Sequence, residues 1–154
     1  MRSARQAGFT LTELMIAVAI AAVLATLTTP SFRDLRARWA LRVATAAILS
    51  TLAEARLVAL AQGRDAVVCA SADAATCAGR GTRILLEEAS AVRRSRSLPD
   101  GVSVTANRLE TRFHPWPRAA STVTWRICAR DARASREVIV SQAGRPRVAD
   151  GPAC

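Results

Sequence analysis

The side chains most clearly suited to binding chemistry lie near the end of the chain, in Gly144–Arg145–Pro146–Arg147. Gly144 permits a turn with positive φ, and Pro146 fixes its own φ and favours an extended backbone at Arg145. Arginine presents planar, forked donors that match phosphate oxygens. We therefore expect the tail to offer two guanidinium groups, at Arg145 and Arg147, to an anionic partner.

The charge of the whole chain points the same way. It has 22 basic residues, all arginine, against 12 acidic residues, for a formal net charge of +10. This excess favours nucleic acid or a membrane surface as a partner. Arg133 and Arg136 precede the tail, and we expect them to extend its basic patch. Aromatic residues make up only 4% of the chain, fewer than a base-stacking platform or an enzyme pocket usually has.

Residues arranged for catalysis are hard to find. The single histidine, His114, lies in the proline-rich stretch FHPWP, where a structural role is the more common one. The sequence contains no Cys/His signature, no phosphate-binding loop and no Gly-x-Ser-x-Gly motif. Trp116 offers a face for a nucleobase, but we expect it to pack into its loop. The chain is thus predicted to be no enzyme, with no cofactor and no metal.

Four cysteines form an even set, namely Cys69, Cys77, Cys128 and Cys154. An even number beyond a membrane segment favours two disulfides in an oxidising compartment. The alternative is a zinc site, which usually needs cysteine pairs two to four residues apart. The observed spacing is wider, so we predict disulfides; the residues alone leave three pairings open.

The N-terminal region combines a basic leader, residues 1–8, with an apolar run from Phe9 to Thr29. A run of this length matches the ~20 residues that cross a bilayer as a helix. An ordinary cleaved secretory signal is the alternative. The run contains Glu13, and a carboxylate in hydrocarbon needs a partner, unless it reaches the membrane interface.

The remaining pattern predicts an α+β protein with one long N-terminal helix and a small antiparallel sheet or sandwich. We place the helix at 9–62, with 9–29 transmembrane and an amphipathic second half, and the head at 63–154 with its basic tail. Gly63 is a good helix stop. A stripe on the second half is predicted to pack on the head: Phe32, Leu35, Trp39, Val43, Ala46, Ala47 and Leu57. Predicted strands are Ala66–Ala70, Arg83–Glu87, Val102–Ala106, Thr122–Cys128 and Glu137–Ser141.

The stretch GFTLTELMIAVAIAAVLATLTTP resembles the type IV prepilin family. The resemblance rests on Gly8, Phe9, Glu13, the apolar run and Pro30. It implies cleavage after Gly8 by a prepilin peptidase, which also methylates the new N-terminus at Phe9. It further implies that Glu13 neutralises the Phe9 amine of a neighbouring pilin subunit.

Later segments, LAEARLVALAQGRDAVVCASADAATC, WRIC and REVIVSQAGRPRV, resemble the GspH/FimT branch of minor pilins and pseudopilins. This resemblance implies a β-sandwich-like head and the disulfide pairs Cys69–Cys77 and Cys128–Cys154. It also implies a single-pass protein of the bacterial inner membrane, with a periplasmic head that can enter the pilus.

The tail resembles the GRxR motif of DNA-binding FimT-type minor pilins, which assigns DNA binding to Gly144, Arg145 and Arg147. The leading hypothesis is a minor type IV pilin that binds double-stranded DNA during uptake in natural transformation. One alternative is a type II secretion pseudopilin that contacts secreted proteins. A second is a purely structural minor pilin that primes pilus assembly.

Overall fold

The computed structural model describes residues 10–116, 119–130 and 135–154, without the side chains of residues 26–31 and 33. The predicted leader, the processing residues Gly8 and Phe9, and Arg133 all lie outside the described residues. The chain divides into two compact units, Met1–Leu35 and Arg36–Cys154. The second unit contains the whole buried core and both disulfides.

Helix α1 spans Leu11–Gln62. Its start is a capping box: the Thr10 amide donates to Glu13 Oε2 over 2.9 Å, and the Glu13 amide donates to Thr10 Oγ1 over 3.3 Å. Its end coincides with the predicted one, because Gly63 follows with a φ of 64° and stops the helix in the left-handed conformation.

Two stretches of α1 are candidates for a membrane-inserted segment because of their apolar composition. Asp34–Gln62 is long and apolar enough to cross a membrane, but 44% of its most apolar segment is buried inside the protein. Burial against a β-sheet head identifies this stretch as the core helix of that head. Leu11–Ala25 is a shorter apolar stretch with exposed side chains, and it lies within the predicted transmembrane segment.

The head contains two sheets whose strand pairs are all antiparallel, which confirms the predicted α+β class. One sheet has the order β4-β3-β1-β6 and the other β2-β5-β7-β8-β9. The strands are β1 Ala66–Ser71, β2 Arg80–Gly81, β3 Arg83–Glu88, β4 Ala91–Ser97, β5 Val102–Ala106, β6 Glu110–Phe113, β7 Val123–Ala129, β8 Ser135–Val140 and β9 Pro146–Gly151.

Five of these strands, β1, β3, β5, β7 and β8, overlap the five predicted ones. The other four escaped prediction because their sequences are short or polar. Strand β4 carries three arginines and β9 contains Pro, Asp and Gly, so neither shows an apolar alternation. Both are edge strands, where charge and proline are tolerated because one side of the backbone has no strand partner.

The predicted packing stripe of α1 is wrong. Trp39 and Leu57 are 62% and 68% exposed, and Phe32, Leu35, Val43 and Ala46 are exposed as well; of the predicted set, only Ala47 packs against the core. The buried face is instead rich in alanine: Ala37, Ala40, Leu41, Ala44, Ile48, Leu52, Ala55 and Ala59. Small side chains let the backbones of helix and sheet approach closely, so this face packs although its residues are less hydrophobic.

The centre of the head is Trp125 on β7, which is fully buried. Its indole Nε1 donates to Thr111 Oγ1 on β6 over 3.1 Å. This bond joins the five-stranded sheet to the four-stranded sheet and satisfies the one polar atom of the indole. The two sheets therefore share one core, to which β8 contributes Val138 and Val140, and β9 pairs with β8 at the edge of the five-stranded sheet.

Candidate functional site

The turn between β8 and β9 presents the basic tail. Gly144 has a φ of 70°, a conformation that side chains rarely adopt. Its amide donates to the Ser141 carbonyl over 2.8 Å, and the Ser141 amide donates to the Arg145 carbonyl over 3.1 Å. The Arg145 amide in turn donates to Ser141 Oγ over 3.2 Å. These bonds fix the backbone on which Arg145 stands.

The same turn is anchored to the rest of the head. Gly144 is buried, and a Cβ added there would meet Phe113 Cε1 at 3.4 Å and Ala120 Cβ at 3.5 Å. Arg56 of α1 donates from Nη1 to the Gly144 carbonyl over 3.2 Å. A helix residue 88 positions away therefore holds the turn, and the positive φ of residue 144 favours glycine there.

Arg145 and Arg147 are both exposed at this corner. On β9, Arg147 pairs with Ile139, whereas Val148 pairs with the buried Val138. Since alternate residues of a strand face opposite sides, Arg147 points away from the core. Neither arginine forms an ion pair within the described part of the chain. Both guanidinium groups therefore have their charge available to an external anion.

A shallow groove of about 590 Å³ runs beside Arg147. Arg108 lines the groove together with Arg147, and four neutral polar residues lie between them: Asn107, Thr122, Thr124 and Ser141. Arg108 is exposed and, among residues 10–116, 119–130 and 135–154, has no carboxylate partner. The groove thus combines positive charge with hydroxyl and amide donors.

Arg108 is a site residue that the sequence did not reveal. It stands alone in the stretch ANRLE, far along the chain from the tail, and only the pairing of β5 with β7 and of β7 with β8 brings it near Arg147. A single arginine in a loop carries no local signal. Its contribution follows from the sheet order alone.

The structure separates Arg136 from Arg147. Arg136 pairs with Asp150 on β9 and with Ile127 on β7. It shares the side of β8 that carries the buried Val138, and it is half-buried. The expectation that Arg136 extends the exposed patch is therefore not supported by this geometry, and Arg133 lies outside the described residues.

Two disulfides are present, Cys69–Cys77 and Cys128–Cys154, the same pairs that the family resemblance implied. Cys128 lies on β7, so the second disulfide fastens the end of the chain beyond β9 to a central strand. Cys69, Cys77 and Glu87 lie close together, but the two sulfurs are bonded to each other and offer no free thiolate to a metal.

A second arginine cluster, on strand β4, differs from the tail in its pairing. Arg93 forms an ion pair with Glu88, and Arg94 forms one with Glu54 over 2.9 Å. Arg96 donates to Ser50 Oγ on α1 over 2.9 Å. Two of the three charges are neutralised by neighbouring carboxylates, so this cluster offers less positive charge than its sequence suggests.

His114 and Trp116 belong to a loop beside the turn. His114 Nδ1 lies 2.9 Å from Asp65 Oδ1, at the start of β1, which suits a structural role. Arg112 also approaches Asp65, at 3.5 Å, and its pKa is raised by a hydrogen bond to Glu110. The expectation that Trp116 packs into its loop is wrong, because the side chain is 81% exposed.

The outer face of α1 within Arg36–Cys154 forms a second exposed surface. Its exposed residues recur at alternating steps of three and four, a heptad spacing: Trp39, Val43, Ala46, Ser50, Ala53, Leu57 and Leu60. A seam of this period suits packing against another helix. We call it the outer seam.

Glu13 is placed by the structure at its own helix start, where its carboxylate accepts from both the Thr10 amide and the Thr10 hydroxyl over 2.9 Å. The T-x-x-E spacing is a sequence signature of this arrangement. The carboxylate is therefore satisfied locally within one chain. The partner expected from the resemblance, the Phe9 amine, lies outside the described residues.

Comparison with known proteins gives two family matches. Residues 3–29 match the prokaryotic N-terminal methylation motif, and residues 44–144 match the family described as type II transport protein GspH. No curated protein sequence matches the chain.

Solved structures with a similar fold include the type IV minor pilin FimU of Pseudomonas aeruginosa. It is 19% identical, with a TM-score of 0.60 over 76% of this chain and 96% of that one. The minor pseudopilin EpsH of the Vibrio cholerae type 2 secretion system is 12% identical, with a TM-score of 0.54 over 71% of this chain and 95% of that one.

Proposed function

Because this chain belongs to the GspH family of type IV pilin-like proteins, we propose that it is a minor type IV pilin that binds double-stranded DNA during uptake in natural transformation. The observation that carries the proposal is the pair of exposed arginines at Arg145 and Arg147. They stand on a turn fixed by Gly144 and by Arg56, with no carboxylate paired to them in the described residues.

Other described arginines also lack an acidic partner. The tail differs because the backbone that carries its two uncompensated arginines is held in place. The turn is hydrogen bonded internally, and the chain beyond β9 is joined to β7 through Cys128–Cys154. A site that is already ordered loses less conformational entropy on binding. The same number of arginines on a flexible segment would bind phosphate more weakly.

Binding of this kind is electrostatic and weakly selective for sequence. Phosphate contacts position a protein on DNA without reading its bases, and they release counterions, so affinity falls steeply with salt. Arg108 and the polar groove beside Arg147 provide further phosphate donors. The basic excess of the chain, +10 overall, attracts DNA from a distance.

The remaining features support membrane attachment and filament entry. The apolar stretch Leu11–Ala25 anchors the chain in the inner membrane after cleavage between Gly8 and Phe9. The head then lies in the periplasm, where disulfides persist. Glu13 exchanges its Thr10 hydrogen bonds for the Phe9 amine of a neighbouring subunit, and the outer seam receives helices of other pilins.

A second candidate function is that of a type II secretion pseudopilin that contacts secreted proteins. The fold shared with EpsH favours it, and a filament subunit of either system needs the outer seam. The arginine corner separates the two candidates, because a secretion role gives no reason for DNA affinity that depends on Arg145 and Arg147.

The test is a titration of the full chain, held in lipid nanodiscs, with duplex DNA at several salt concentrations. Replacing both arginines, R145A with R147A, removes up to two phosphate contacts. The slope of log K against log salt should then fall by up to about 1.8. Binding should weaken for every duplex sequence alike, and the free energy of unfolding should change by less than about 0.5 kcal/mol because both side chains are exposed.

The matched control is R93A with R96A, which removes the same charge from strand β4. Its salt slope should stay near that of the unaltered chain. If both double variants lose the same affinity and the same slope, DNA recognises only the general charge, and the secretion candidate gains support.

A further inference from the structure

Trp116 differs from every other aromatic residue of the described head. Phe113 is 3% exposed and Trp125 is fully buried, whereas Trp116 is 81% exposed. The head has only these three aromatic residues. Trp116 therefore carries nearly all of the exposed aromatic surface of the described head, and its ring is accessible to a ligand.

The loop that carries Trp116 is bonded at its base to the arginine turn. The His114 amide donates to the Ala119 carbonyl over 2.9 Å, which closes the loop. The Ala120 amide donates over 2.8 Å to the carbonyl of Gln142, a residue of the Gly144 turn. Phe113 and Ala120 are also the residues that contact Gly144. The loop that carries Trp116 therefore adjoins the turn that carries Arg145.

The sequence restricts this loop further. Pro115 directly precedes Trp116, and a proline fixes its own φ. Restricted backbone lowers the entropy lost when the exposed ring is held against a ligand. Glycine or serine at position 115 would leave this backbone with more freedom.

We propose that Trp116 stacks an unpaired nucleobase while Arg145 and Arg147 bind the adjoining phosphates. The preferred ligand is then single-stranded DNA, or a duplex end with an overhang. The inference rests on the proposed function, since it places a base-stacking residue beside the proposed phosphate site. It goes beyond that function because duplex binding does not require Trp116.

The chemistry of stacking selects for an unpaired strand. Inside a duplex each base is covered on both faces by its neighbours, so a protruding indole finds no free face there. In a single strand any base can lie on the ring, whatever its identity. Hydroxyl and amide groups of the groove beside Arg147 leave the backbone path polar and open to sugar and phosphate.

The test compares a 12-nucleotide oligo-dT with a 12-base-pair duplex on the full chain in zwitterionic nanodiscs. The single strand should bind more tightly, and W116A should weaken it roughly 5- to 150-fold. W116F, which keeps a ring, should recover part of that loss. Duplex affinity should stay within about twofold of the unaltered chain in both variants, because phosphate contacts are retained.

A second measurement reads the ring directly. In a W39F background, Trp116 is the one exposed tryptophan of the described chain and Trp125 is buried. Oligo-dT should quench Trp116 emission, and duplex should not. V92A is the matched control, since Val92 is an apolar side chain that is 42% exposed on the edge strand β4, outside the groove and the arginine turn; oligo-dT affinity should be unchanged.

The outcomes separate this inference from the proposed function. If duplex binding depends on Arg145 and Arg147 while W116A leaves oligo-dT affinity and quenching unchanged, the stacking role is overturned and the proposed function stands. If neither DNA binds, both fall. If Trp116 emission shifts to the blue with anionic phosphatidylglycerol vesicles but not with oligo-dT, the loop contacts a lipid surface instead, and the inference is overturned.

Discussion

Strand β4 and the tail after β8 are both short, arginine-rich edges, but their charges are used differently. On β4, Arg93 and Arg94 pair with Glu88 and Glu54. In the tail, Arg145 and Arg147 have no such carboxylate among the residues that the structure describes. The cluster with more arginine thus has the smaller share of uncompensated charge.

The difference teaches that arginine content predicts an anion site poorly in a chain with 22 arginines. What matters is which carboxylates the fold places beside each guanidinium and how firmly the backbone is held. Exposed ion pairs contribute little to stability, so the pairs on β4 act mainly on the electrostatic surface. They mask charge there, whereas the charges of Arg145 and Arg147 stay uncompensated.

The largest expected effect comes from removing the anchor that only the tail has. Replacing both cysteines, C128S with C154S, opens a loop with a sequence separation of 26. Chain-entropy arguments give a loss of about 3.5 kcal/mol in the free energy of unfolding. Chemical denaturation followed by near-ultraviolet circular dichroism measures this loss, and duplex affinity should fall because β9 is held by β8 alone.

The matched control is C69S with C77S, where the sequence separation is 8. The same argument gives about 2.5 kcal/mol, with DNA affinity unchanged because this loop lies on the other sheet. Retention of full duplex affinity in the C128S/C154S variant would show that pairing with β8 is enough to hold the arginines.

A smaller effect is expected at Gly144. G144A forces alanine into a φ of 70°, which costs about 1–2 kcal/mol. Any relaxation of φ moves the Arg145 backbone away from Ser141, so we expect duplex affinity to fall together with stability. Thermal unfolding and DNA titration on the same preparation measure the two losses.

Gly63 provides the comparison at nearly the same φ, 64°, with open space around its Cβ position. G63A should therefore lose a similar amount of stability and none of the DNA affinity. Equal losses of affinity in the two variants would mean that DNA binding follows overall stability and not the geometry of the tail.

The smallest change in stability is expected when the arginines of β4 lose their carboxylate partners. This change is also the most direct test of the comparison between β4 and the tail. E54Q with E88Q removes the two carboxylates that pair with Arg94 and Arg93. Stability should change by less than about 1 kcal/mol. Duplex DNA should bind more tightly, with a salt slope steeper by up to about 1.8, because two arginines become available to phosphate.

Adding R93A and R94A to that variant should return the slope to its original value. A slope that rises with E54Q and E88Q but stays high after the arginines are removed would mean that Arg93 and Arg94 are not the groups that bind the additional phosphates. In that case the difference in ion pairing between β4 and the tail does not determine DNA binding.

The sequence predicted those parts of the fold that depend on local patterns. Gly63 ended the helix where expected, and VSVTA and TVTWRIC alternate clearly enough to mark β5 and β7. The face of α1 did not follow from the sequence, because Phe32, Trp39 and Leu57 outweigh alanine in hydrophobicity. Which face packs depends on how closely the sheet approaches, and the fully buried Ala44 and Ala55 allow a close approach on the packed face.

The candidate site likewise combines features that a local sequence pattern predicts with features that depend on the tertiary fold. The turn at Gly144 and the exposure of Arg147 follow from a short segment, so the sequence was sufficient. Arg108, Arg56 and Trp116 were not assigned to the site, because their relation to the tail is set by the order of the strands. Their neighbours in space are between about 20 and 90 residues away in the chain, beyond the range of any local pattern.

The Cys128–Cys154 bond also determines how the tail bears mechanical load. Under the proposed function, a pull on DNA bound at Arg145 and Arg147 would enter β9 at its first residues, and an edge strand held only by hydrogen bonds would peel from β8 one pair at a time. Here the chain beyond the far end of β9 is fastened covalently to β7, which packs in the core through Trp125. This bond stops β9 from detaching completely from the five-stranded sheet, even after its first residues have separated from β8.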